Sequence, residues 1–454
     1  MIRSLPQRQL ILLGGDVILI IASFYLAPVL RFGVFLDLSV IFDWPDLSAI
    51  MIYLMSFYIF DFYNIDERFD TAGYVLRFLM ALVAADLFIA TMFYVFNIRP
   101  YAMVILLLNT LFLFSFCLGW RFLYDHRCRE VRKVYRTLIV GAGRAGHDLY
   151  EMLSQRNDFA ITGILDDDHK KWGRKLGVAQ VLGGTKLLPS LLDAVDVVIV
   201  AITHGLSRDL YKQLVDAKMR GVMVYEMPTF YERVLGKIPV RHVSDLWFVY
   251  VPISGVRRSV YNIKIKKIID IFLSLLGLLA TLPFTLLAIL AIRCSSPGPV
   301  LYIHRRIGWN GKPFDLIKLR TMKEGCENDR CFAGQRDDPR IIQGGRIIRF
   351  FRIDEIPQMW NVIKGDMSFI GPRALIESEV EEFAPQIPYF SLRHSIRPGI
   401  TGWAQVNYPH GTTVEEALAK LEYDLYYIKN LSPLLDLVIL ARTVRTVLFG
   451  KGAR

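Results

Sequence analysis

The chain has 454 residues, of which 53% are hydrophobic, and it carries a formal net charge of +11 with a mean hydropathy of +0.34. So apolar a composition argues against an ordinary soluble protein and predicts a membrane protein. The basic residues flank apolar segments, so the positive charge favours an anionic lipid surface and no nucleic-acid partner is expected. The five cysteines include no Cys-x-x-Cys pair, which argues against a structural zinc site and favours reduced thiols.

Apolar stretches dominate the first 125 residues, at approximately 10–30, 45–60, 75–96 and 101–120. Each is close to the ~20 residues that a helix needs to cross the hydrocarbon core of a bilayer. We therefore predict a four-helix transmembrane domain over residues 1–125. Asp86 lies inside the third stretch, where an ionisable group is costly and indicates either function or a polar contact within the bundle. We favour the polar contact.

The charges around these stretches indicate an orientation, because cytoplasmic loops are enriched in Lys and Arg. The loop 31–44 is acidic after Arg31, whereas cations precede the first stretch and follow the fourth. The flanking cations are Arg3, Arg8, Arg121, Arg127, Arg129, Arg132, Lys133 and Arg136. Both ends of the bundle are therefore expected on the cytoplasmic side.

Residues 136–256 alternate short apolar runs with amphipathic segments, which predicts βαβ units and a Rossmann-like parallel sheet. The candidate nucleotide-binding residues here are Gly141, Gly143, Gly146 and Asp166. The glycines form G-x-G-x-x-G between the first predicted strand and a helix, and Asp166 ends the next strand. Backbone N–H groups at such a turn can bind an anion. The alternative is a glycine turn that only packs a helix on a sheet.

Residues 257–454 are predicted to form a mixed α/β catalytic domain that begins with a membrane segment. Basic residues flank the apolar run 268–292, and Pro283 lies in its middle. Cations at both ends oppose translocation, and a proline kinks a helix, so we predict a re-entrant membrane helix over 264–293. A fully spanning helix is the alternative. The amphipathic stretch 432–450 predicts a helix that either lies at the membrane interface or belongs to the core.

Charged residues concentrate in two segments of this domain. Lys318 and Arg320 are two residues apart, which places both cations on one face of a strand. The second segment surrounds the adjacent acids Asp354 and Glu355 with five cations. These are Arg346, Arg349, Arg352, Lys364 and Arg373. Such a composition suits a phosphate or pyrophosphate ligand together with a divalent metal.

The sequence around Asp354 and Glu355 predicts the start of a helix, with Asp354 as the N-cap and Pro357 in the first turn. A carboxylate beside backbone N–H groups and arginines should be ionised near neutral pH. Asp354 would then be available as a Mg²⁺ ligand or as a nucleophile. The alternative is that Asp354 only caps the helix while Glu355 pairs with Arg349.

Several long motifs occur in order after residue 264: KLRTM, DDPRI, RIDEIPQMWNVIKGDMSFIGPR and RPGITGWAQVNYPHG. They resemble the catalytic domain of bacterial polyprenyl-phosphate hexose-1-phosphate transferases, monotopic phosphoglycosyl transferases that initiate exopolysaccharide and O-antigen synthesis. The predicted bundle and middle domain resemble the large form of that family. The resemblance implies transfer of a sugar 1-phosphate from a UDP-sugar to undecaprenyl phosphate, with release of UMP, at the cytoplasmic face of the bacterial inner membrane. It also implies Mg²⁺, a covalent phosphosugar-aspartate intermediate and a possible homodimer.

The resemblance assigns roles to matching residues. Asp354 is expected to be the nucleophile and Glu355 its partner in metal binding or proton handling, so both are candidate metal ligands. Pro283 matches the helix-breaking proline of the family. The expected substrate-binding cations are Lys318, Arg320, Arg349, Arg373 and Arg397. The sequence departs from the family at Ala374, where a proline is usual, and at 342–344, where a cation is missing, so the donor sugar stays open.

Two other classes of protein fit parts of the sequence. A membrane-anchored nucleotide-sugar oxidoreductase or dehydratase would also combine membrane helices with a Rossmann domain. Such enzymes use a Tyr-x-x-x-Lys pair, and no tyrosine between 135 and 250 has a lysine four residues later. A non-catalytic regulator of polysaccharide assembly is the second alternative, and it suits the middle domain better than the whole chain.

Overall fold

The computed structural model describes residues 4–33, 44–63, 72–96, 103–129, 134–202, 205–243, 245–257, 259–322, 340–408 and 413–448. The chain forms two compact units, Met1–Lys133 and Val134–Arg454.

The first unit contains four apolar helices, as the sequence predicts. They are α1 (Ser4–Phe32), α2 (Trp44–Ile59), α3 (Ala72–Val95) and α4 (Met103–Arg129). Three contain stretches long and apolar enough to cross a membrane, namely Gln9–Phe32, Ala72–Val95 and Val104–Tyr124. Helix α2 has only 16 residues. At ~1.5 Å per residue it is ~24 Å long and falls short of the ~30 Å hydrocarbon core.

Buried polar contacts tie the helices of this unit together. Asp86 accepts hydrogen bonds from the hydroxyls of Tyr53 and Thr110, the latter at 2.6 Å, which confirms the predicted polar contact within the bundle. Arg121 is fully buried and forms a two-pronged ion pair with Asp16, with Nη2 and Oδ2 2.6 Å apart. Arg121, counted among the cations that follow the fourth stretch, is therefore an internal ion-pair partner and should not be counted as a flanking charge. Several other predicted flanking cations lie outside the described residues or side chains: Arg3, Arg8, Arg129, Arg132 and Lys133.

The second unit begins with a six-stranded sheet in the order β3-β4-β2-β1-β5-β6. Its strands are β1 (Tyr135–Val140), β2 (Phe159–Leu165), β3 (Lys175–Leu176), β4 (Ala179–Gly183), β5 (Val197–Val200) and β6 (Met223–Glu226). The intervening helices are α5 (Arg144–Ser154), α6 (Leu188–Leu191), α7 (Arg208–Met219), α8 (Met227–Leu235) and α9 (Asp245–Tyr250). Only the pairing of β3 with β4 is antiparallel, so the predicted parallel sheet is present. All four residues of β5 are buried, as expected for a strand covered by helices on both faces.

The remainder of the unit mixes helices with short strand pairs. It contains α10 (Lys266–Ser295), β7 (Leu301–Ile307), β8 (Pro313–Leu319), α11 (Gly345–Phe350), α12 (Gln358–Lys364), β9 (Ser368–Ile370), α13 (Glu377–Phe383), β10 (Gly399–Thr401), α14 (Trp403–Asn407), α15 (Val414–Asn430) and α16 (Pro433–Leu448). Strands β7 and β8 form an antiparallel hairpin, and β9 pairs with β10 in parallel. Ile238 and Val240, which precede the predicted boundary at 256, share a hydrophobic core with Phe390 and Leu421. The division into domains 136–256 and 257–454 stays a prediction.

Helix α10 packs against the C-terminal part of the unit at both of its ends. Near its start, Asp270 accepts hydrogen bonds from Ser368 Oγ at 2.7 Å and from the Phe369 amide at 3.1 Å. Near its end, Ile292 belongs to a hydrophobic cluster that includes Leu319 of β8. The helix continues through Pro283, so the proline does not end it, and the re-entrant path stays a prediction.

Helix α16 has one buried and one exposed face. Asp436 and Ile439 are buried, whereas Leu434 and Leu437 are 72% and 63% exposed. Asp436 accepts hydrogen bonds from the Tyr427 hydroxyl at 2.6 Å and from two groups at the entry to α10. The helix therefore anchors the membrane segment, and its apolar outer face keeps the interface role open as a prediction.

Candidate active site

The two adjacent carboxylates lie in a single turn of 3₁₀ helix, Ile353–Glu355, between α11 and α12. Arg352 enters this turn with φ of 55°, a left-handed conformation that is uncommon for a residue with a side chain and is concentrated at functional sites. The predicted helix start is present, but the prediction that Asp354 is its N-cap is wrong. Because the left-handed Arg352 turns the chain first, Asp354 already has helical backbone geometry and lies inside the turn.

Glu355 is surrounded by cations and is 13% exposed at its side chain. Its Oε1 lies 3.0 Å from Lys318 Nζ and 3.9 Å from Arg373 Nη2, and its Oε2 lies 3.5 Å from Arg352 Nη1. Burial raises the pKa of this carboxyl, but attraction to the three cations outweighs burial and holds the pKa far below its usual range. Glu355 thus pairs with Lys318, and the predicted alternative of pairing with Arg349 is wrong.

Asp354 lines a cavity of about 170 Å³. Burial and the neighbouring charge of Glu355 raise the pKa of Asp354 to about 6, against the opposing attraction of Lys318 and Arg349. At pH 7 a carboxyl with this pKa is ionised in roughly nine molecules out of ten. The predicted ionisation near neutral pH therefore holds, although the carboxylate is a stronger base than an exposed aspartate.

Four of the five predicted substrate-binding cations are near the acidic pair. Lys318, Arg320 and Arg349 line the same cavity as Asp354, and Arg373 lies beside Glu355. Burial lowers the pKa of Lys318, and the charge of Glu355 opposes that effect.

Two of the predicted cations have structural contacts as well. Arg320 donates hydrogen bonds to the carbonyl oxygens of Ser296 and Pro297, both at 2.9 Å, and so holds the chain just after α10. Arg397 lies over the ring of Trp309, with its Cζ 5.3 Å from the centroid. Contact with this aromatic residue of the β7–β8 turn therefore fixes the position of Arg397. The Asp338–Pro339 part of the DDPRI motif lies outside the described residues.

Strand β7 contributes three further residues to the cavity that the sequence analysis missed. Tyr302, His304 and Arg306 alternate along the strand and line the cavity, and Tyr302 pairs with Lys318 across the hairpin. Arg306 donates from Nη1 to the Ala374 carbonyl at 2.6 Å. Burial and the charge of Arg373 lower the pKa of Arg306 to about 10. The signal that the sequence offered for these three residues was the polar side chain at every second position of YIHRR.

The donor set for a metal ion is small. The described residues contain no group of three or more His, Cys, Asp or Glu side chains that could hold a metal. Mg²⁺ is commonly bound by one or two carboxylates together with substrate phosphates and water. Asp354, which faces the cavity, fits this pattern, whereas both oxygens of Glu355 lie within 3.5 Å of a cation. A metal role for Glu355 stays a prediction, and the geometry favours Asp354.

The glycine loop of the middle sheet has the predicted location. Gly141 follows β1 with φ of +114°, and Gly143 is the N-cap of α5. A Cβ on Gly146 would lie 1.9 Å from the Gly141 carbonyl oxygen, so this glycine permits close packing of helix and strand. Asp166 accepts a hydrogen bond from the Ala142 amide at 2.7 Å. One of the loop amides that an anion could use is thus already bonded to a carboxylate.

The fold and the site together define a membrane protein with an acidic pair in a cationic cavity, which is a site suited to phosphate chemistry. Residues 261–450 match the family described as bacterial sugar transferase. The chain is 40% identical over 190 residues to the UDP-glucose:undecaprenyl-phosphate glucose-1-phosphate transferase of Caulobacter vibrioides, which covers 41% of this chain and 71% of that protein. The chain belongs to the bacterial sugar transferase family, so the family predicted from the motifs is confirmed.

Other relatives share a smaller part of their length. The UDP-N-acetylgalactosamine-undecaprenyl-phosphate N-acetylgalactosaminephosphotransferase of Aeromonas hydrophila is 36% identical over 233 residues, which is 51% of this chain and 54% of that protein. The undecaprenyl-phosphate glucose phosphotransferase of Komagataeibacter xylinus is 30% identical over 357 residues, covering 74% of this chain and 63% of that protein. The chain thus spans about half the length of the Aeromonas relative.

Proposed function

We propose that the chain transfers a sugar 1-phosphate from a UDP-sugar to undecaprenyl phosphate, as the first step of exopolysaccharide assembly. The observation that supports this most directly is the position of Asp354, a largely ionised carboxylate in a cavity lined by Lys318, Arg320 and Arg349. The names of the family relatives, which specify UDP-glucose or UDP-N-acetylgalactosamine and undecaprenyl phosphate, support the same substrate classes.

The proposed reaction has two displacements at one phosphorus atom. A carboxylate oxygen of Asp354 attacks the phosphorus that bears the sugar, the bond to the bridging oxygen breaks, and UMP leaves with that oxygen. An oxygen of the lipid phosphate then attacks the same phosphorus, the bond to Asp354 breaks, and polyprenyl-diphosphate-sugar forms. The second displacement restores the carboxylate, so the reaction needs no other reactant.

The cations supply the electrostatic part of this chemistry. Lys318, Arg320 and Arg349 would offset the negative charge on the donor diphosphate and on the leaving UMP. Asp354 is the residue that would hold a Mg²⁺ ion, which would supply neutralising charge to the phosphates. Arg373, which lies beside Glu355, would add a further positive charge next to the acidic pair.

The packing of α10 supports a helix that enters the membrane and returns, or lies in its interface. Its beginning, at Asp270, and its end, at Ile292, both pack on the same catalytic part of the chain. A helix that crossed the bilayer would have its ends on opposite sides. The exposed leucines in the middle, among them Leu279 and Leu287, would then face lipid. We place this part at the cytoplasmic face of the bacterial inner membrane, where UDP-sugars are available.

The middle domain, with its parallel sheet and glycine loop, is proposed to be Rossmann-like. Because Asp166 already accepts the hydrogen bond of the Ala142 amide, a bound nucleotide would have to displace this carboxylate or bind beside it. A homodimer, and the lack of a nucleic-acid partner, remain predictions.

The test is a transfer assay on membranes that contain the protein. Radiolabelled UDP-sugars, beginning with UDP-glucose and UDP-N-acetylgalactosamine, are incubated with undecaprenyl phosphate, and UMP and labelled lipid are measured. We expect labelled lipid with at least one donor, loss of activity on chelation of Mg²⁺ and its return on readdition. Asp354→Asn should abolish transfer, whereas Asp366→Asn, which alters a carboxylate paired with Lys364 at the far end of α12, should retain it. Full activity of Asp354→Asn, or no labelled lipid with any donor, would refute the proposal.

A further inference from the structure

A second concave surface lies beside the acidic pair, on the side of Glu355. It is a groove of about 210 Å³ between α12, β10 and α16, which we call the α16 groove. Its apolar lining residues include Ile356, Met359, Phe369, Ile400 and Val406, and its polar ones are Thr401, Gln405, Thr443 and Thr446 besides the two charged residues. Arg352 and Glu355 lie at one end of it. The α16 groove thus joins an apolar channel to the charged site, while the cavity of Asp354 is lined mainly by polar side chains.

The α16 groove lies next to the membrane helix. Met359 packs so closely on α10 that a Cβ on Gly277 would lie 2.8 Å from the methionine sulfur. The amide of Phe369, on the opposite wall, is held by Asp270 of the same helix. On the neighbouring outer surface, Phe351 is 56% exposed. The groove therefore adjoins α10, so an apolar molecule bound beside this helix could enter it.

The chemistry of the walls selects among the substrates of the proposed reaction. A nucleotide or a sugar ring would leave most of its hydroxyl groups without hydrogen-bond partners against such walls, which is costly. An isoprenoid chain has no such groups and gains from every methylene that it buries. Its phosphate would meet Arg352 at the charged end, which gives the groove the amphipathic character of a lipid phosphate.

We propose that the α16 groove holds the first isoprene units of the polyprenyl phosphate acceptor and directs its phosphate to the acidic pair. This inference rests on the proposed function. The UDP-sugar would then approach from the cavity of Asp354.

A buried oxygen atom of Gln405 defines the competing occupant of the groove. Gln405 donates from Nε2 to the Ile400 carbonyl at 2.8 Å, and its buried Oε1 has no hydrogen-bond partner among the described atoms. A sugar hydroxyl could donate to this oxygen. Kinetic constants for donor and acceptor must therefore be measured separately.

The kinetic test fills the groove from α16. Among the described residues, the Thr446 hydroxyl donates only to its own helix, to the Arg442 carbonyl at 2.9 Å, so Thr446→Phe adds a ring to the groove without removing a tertiary hydrogen bond seen there. Val444→Phe adds the same ring on the exposed side of the helix and is the matched control. We expect Thr446→Phe to raise the KM for undecaprenyl phosphate at least tenfold with the UDP-sugar KM within twofold. Val444→Phe should stay within twofold for both substrates. A selective rise of the UDP-sugar KM would place the sugar in the groove and overturn the proposal, as would unchanged constants.

A binding test that needs no turnover separates this proposal from the proposed function. Geranyl phosphate with a benzophenone group on its chain is photolysed with the full-length protein in detergent, and the labelled peptides are identified. We expect labelling of the segments 400–406 and 443–446, competition by undecaprenyl phosphate but not by phosphatidylglycerol, and loss of labelling in Thr446→Phe. Labelling elsewhere, or equal competition by phosphatidylglycerol, would overturn the groove assignment even if transfer activity is present. If transfer activity is absent and this labelling pattern is obtained, the proposed reaction fails while the lipid-phosphate site stands.

Discussion

The raised pKa of Asp354 predicts an acid limb in the pH dependence of the donor half of the reaction. Only the ionised carboxylate can attack phosphorus, and its pKa is about 6 because of burial and the charge of Glu355. The ionised fraction is then about 0.9 at pH 7 and about 0.1 at pH 5. We therefore expect kcat/KM for the UDP-sugar to fall roughly tenfold between these pH values, with a slope that approaches one proton, and to level off above pH 7.

The assay measures UMP release at pH 5 to 8 with varied UDP-sugar and saturating undecaprenyl phosphate. The kcat/KM for the donor reports groups of the free enzyme, and it avoids the acceptor, because a phosphate monoester itself titrates near pH 6. Glu355 cannot produce the limb, since its cations hold its pKa far below this range. A flat profile between pH 5 and 7 would refute the reasoning.

A second buried acid provides the matched control. Burial raises the pKa of Asp424 to about 6 despite its ion pair with Arg393, in which Nη2 and Oδ2 are 2.8 Å apart. Arg393 also donates to the Arg373 carbonyl at 3.3 Å, so protonation of Asp424 could be transmitted to the site. Asp424→Asn should keep the acid limb at the same pH. If the limb disappears in this variant, it belongs to Asp424 and the assignment to Asp354 is wrong.

Three further predictions concern stability and positioning. An acid with a raised pKa contributes stability that is complete below the pKa of the unfolded state and is lost as pH rises through the folded pKa of about 6. Asp354→Asn should therefore raise the free energy of unfolding at pH 8 by up to about 3 kcal/mol and give no gain at pH 4. Thermal melts in detergent measure both. Asp16→Leu leaves Arg121 buried without its partner and should cost about 3–5 kcal/mol, most of which the double variant with Arg121→Met should recover in the same melts. Asp270→Ala removes the acceptor of two hydrogen bonds, one of them from the Phe369 amide. Each unsatisfied donor should lower the free energy of unfolding by about 1–3 kcal/mol. We expect kcat for transfer to fall more than the donor KM changes. Equal losses in kcat and in thermal stability for Asp270→Asn and Asp270→Ala would show that the hydrogen bonds at this position do not matter.

Local periodicity explains why much of the fold could be predicted. The apolar stretches, the parallel sheet and the glycine loop all follow from patterns within ~20 residues of sequence. The position of Lys318 on one face of a strand follows from the alternation of side chains along strands, and the same rule applied to β7 would have identified Arg306. The proximity of cations to the acidic pair was therefore predictable from composition and spacing.

Contacts between distant segments explain the errors. Arg121 and Asp16 are 105 residues apart, and nothing in either local pattern distinguishes a buried ion pair from a flanking charge. Glu355 pairs with Lys318, 37 residues earlier, because the β7–β8 hairpin packs on the 3₁₀ turn. The N-cap assignment failed because Arg352 adopts a left-handed conformation, which no sequence preference for arginine would suggest.

The opposite pKa shifts of the adjacent acids limit what each can do. Glu355 stays ionised across the physiological range, with cations beside both of its oxygens, so it can neither donate nor accept a proton there. Its fixed charge raises the pKa of Asp354, while it holds Lys318 beside the cavity. We infer that Glu355 acts by positioning Lys318 and by making Asp354 a stronger base and nucleophile. These observations argue against the predicted proton-handling role of Glu355. They assign the direct chemistry of the site to Asp354.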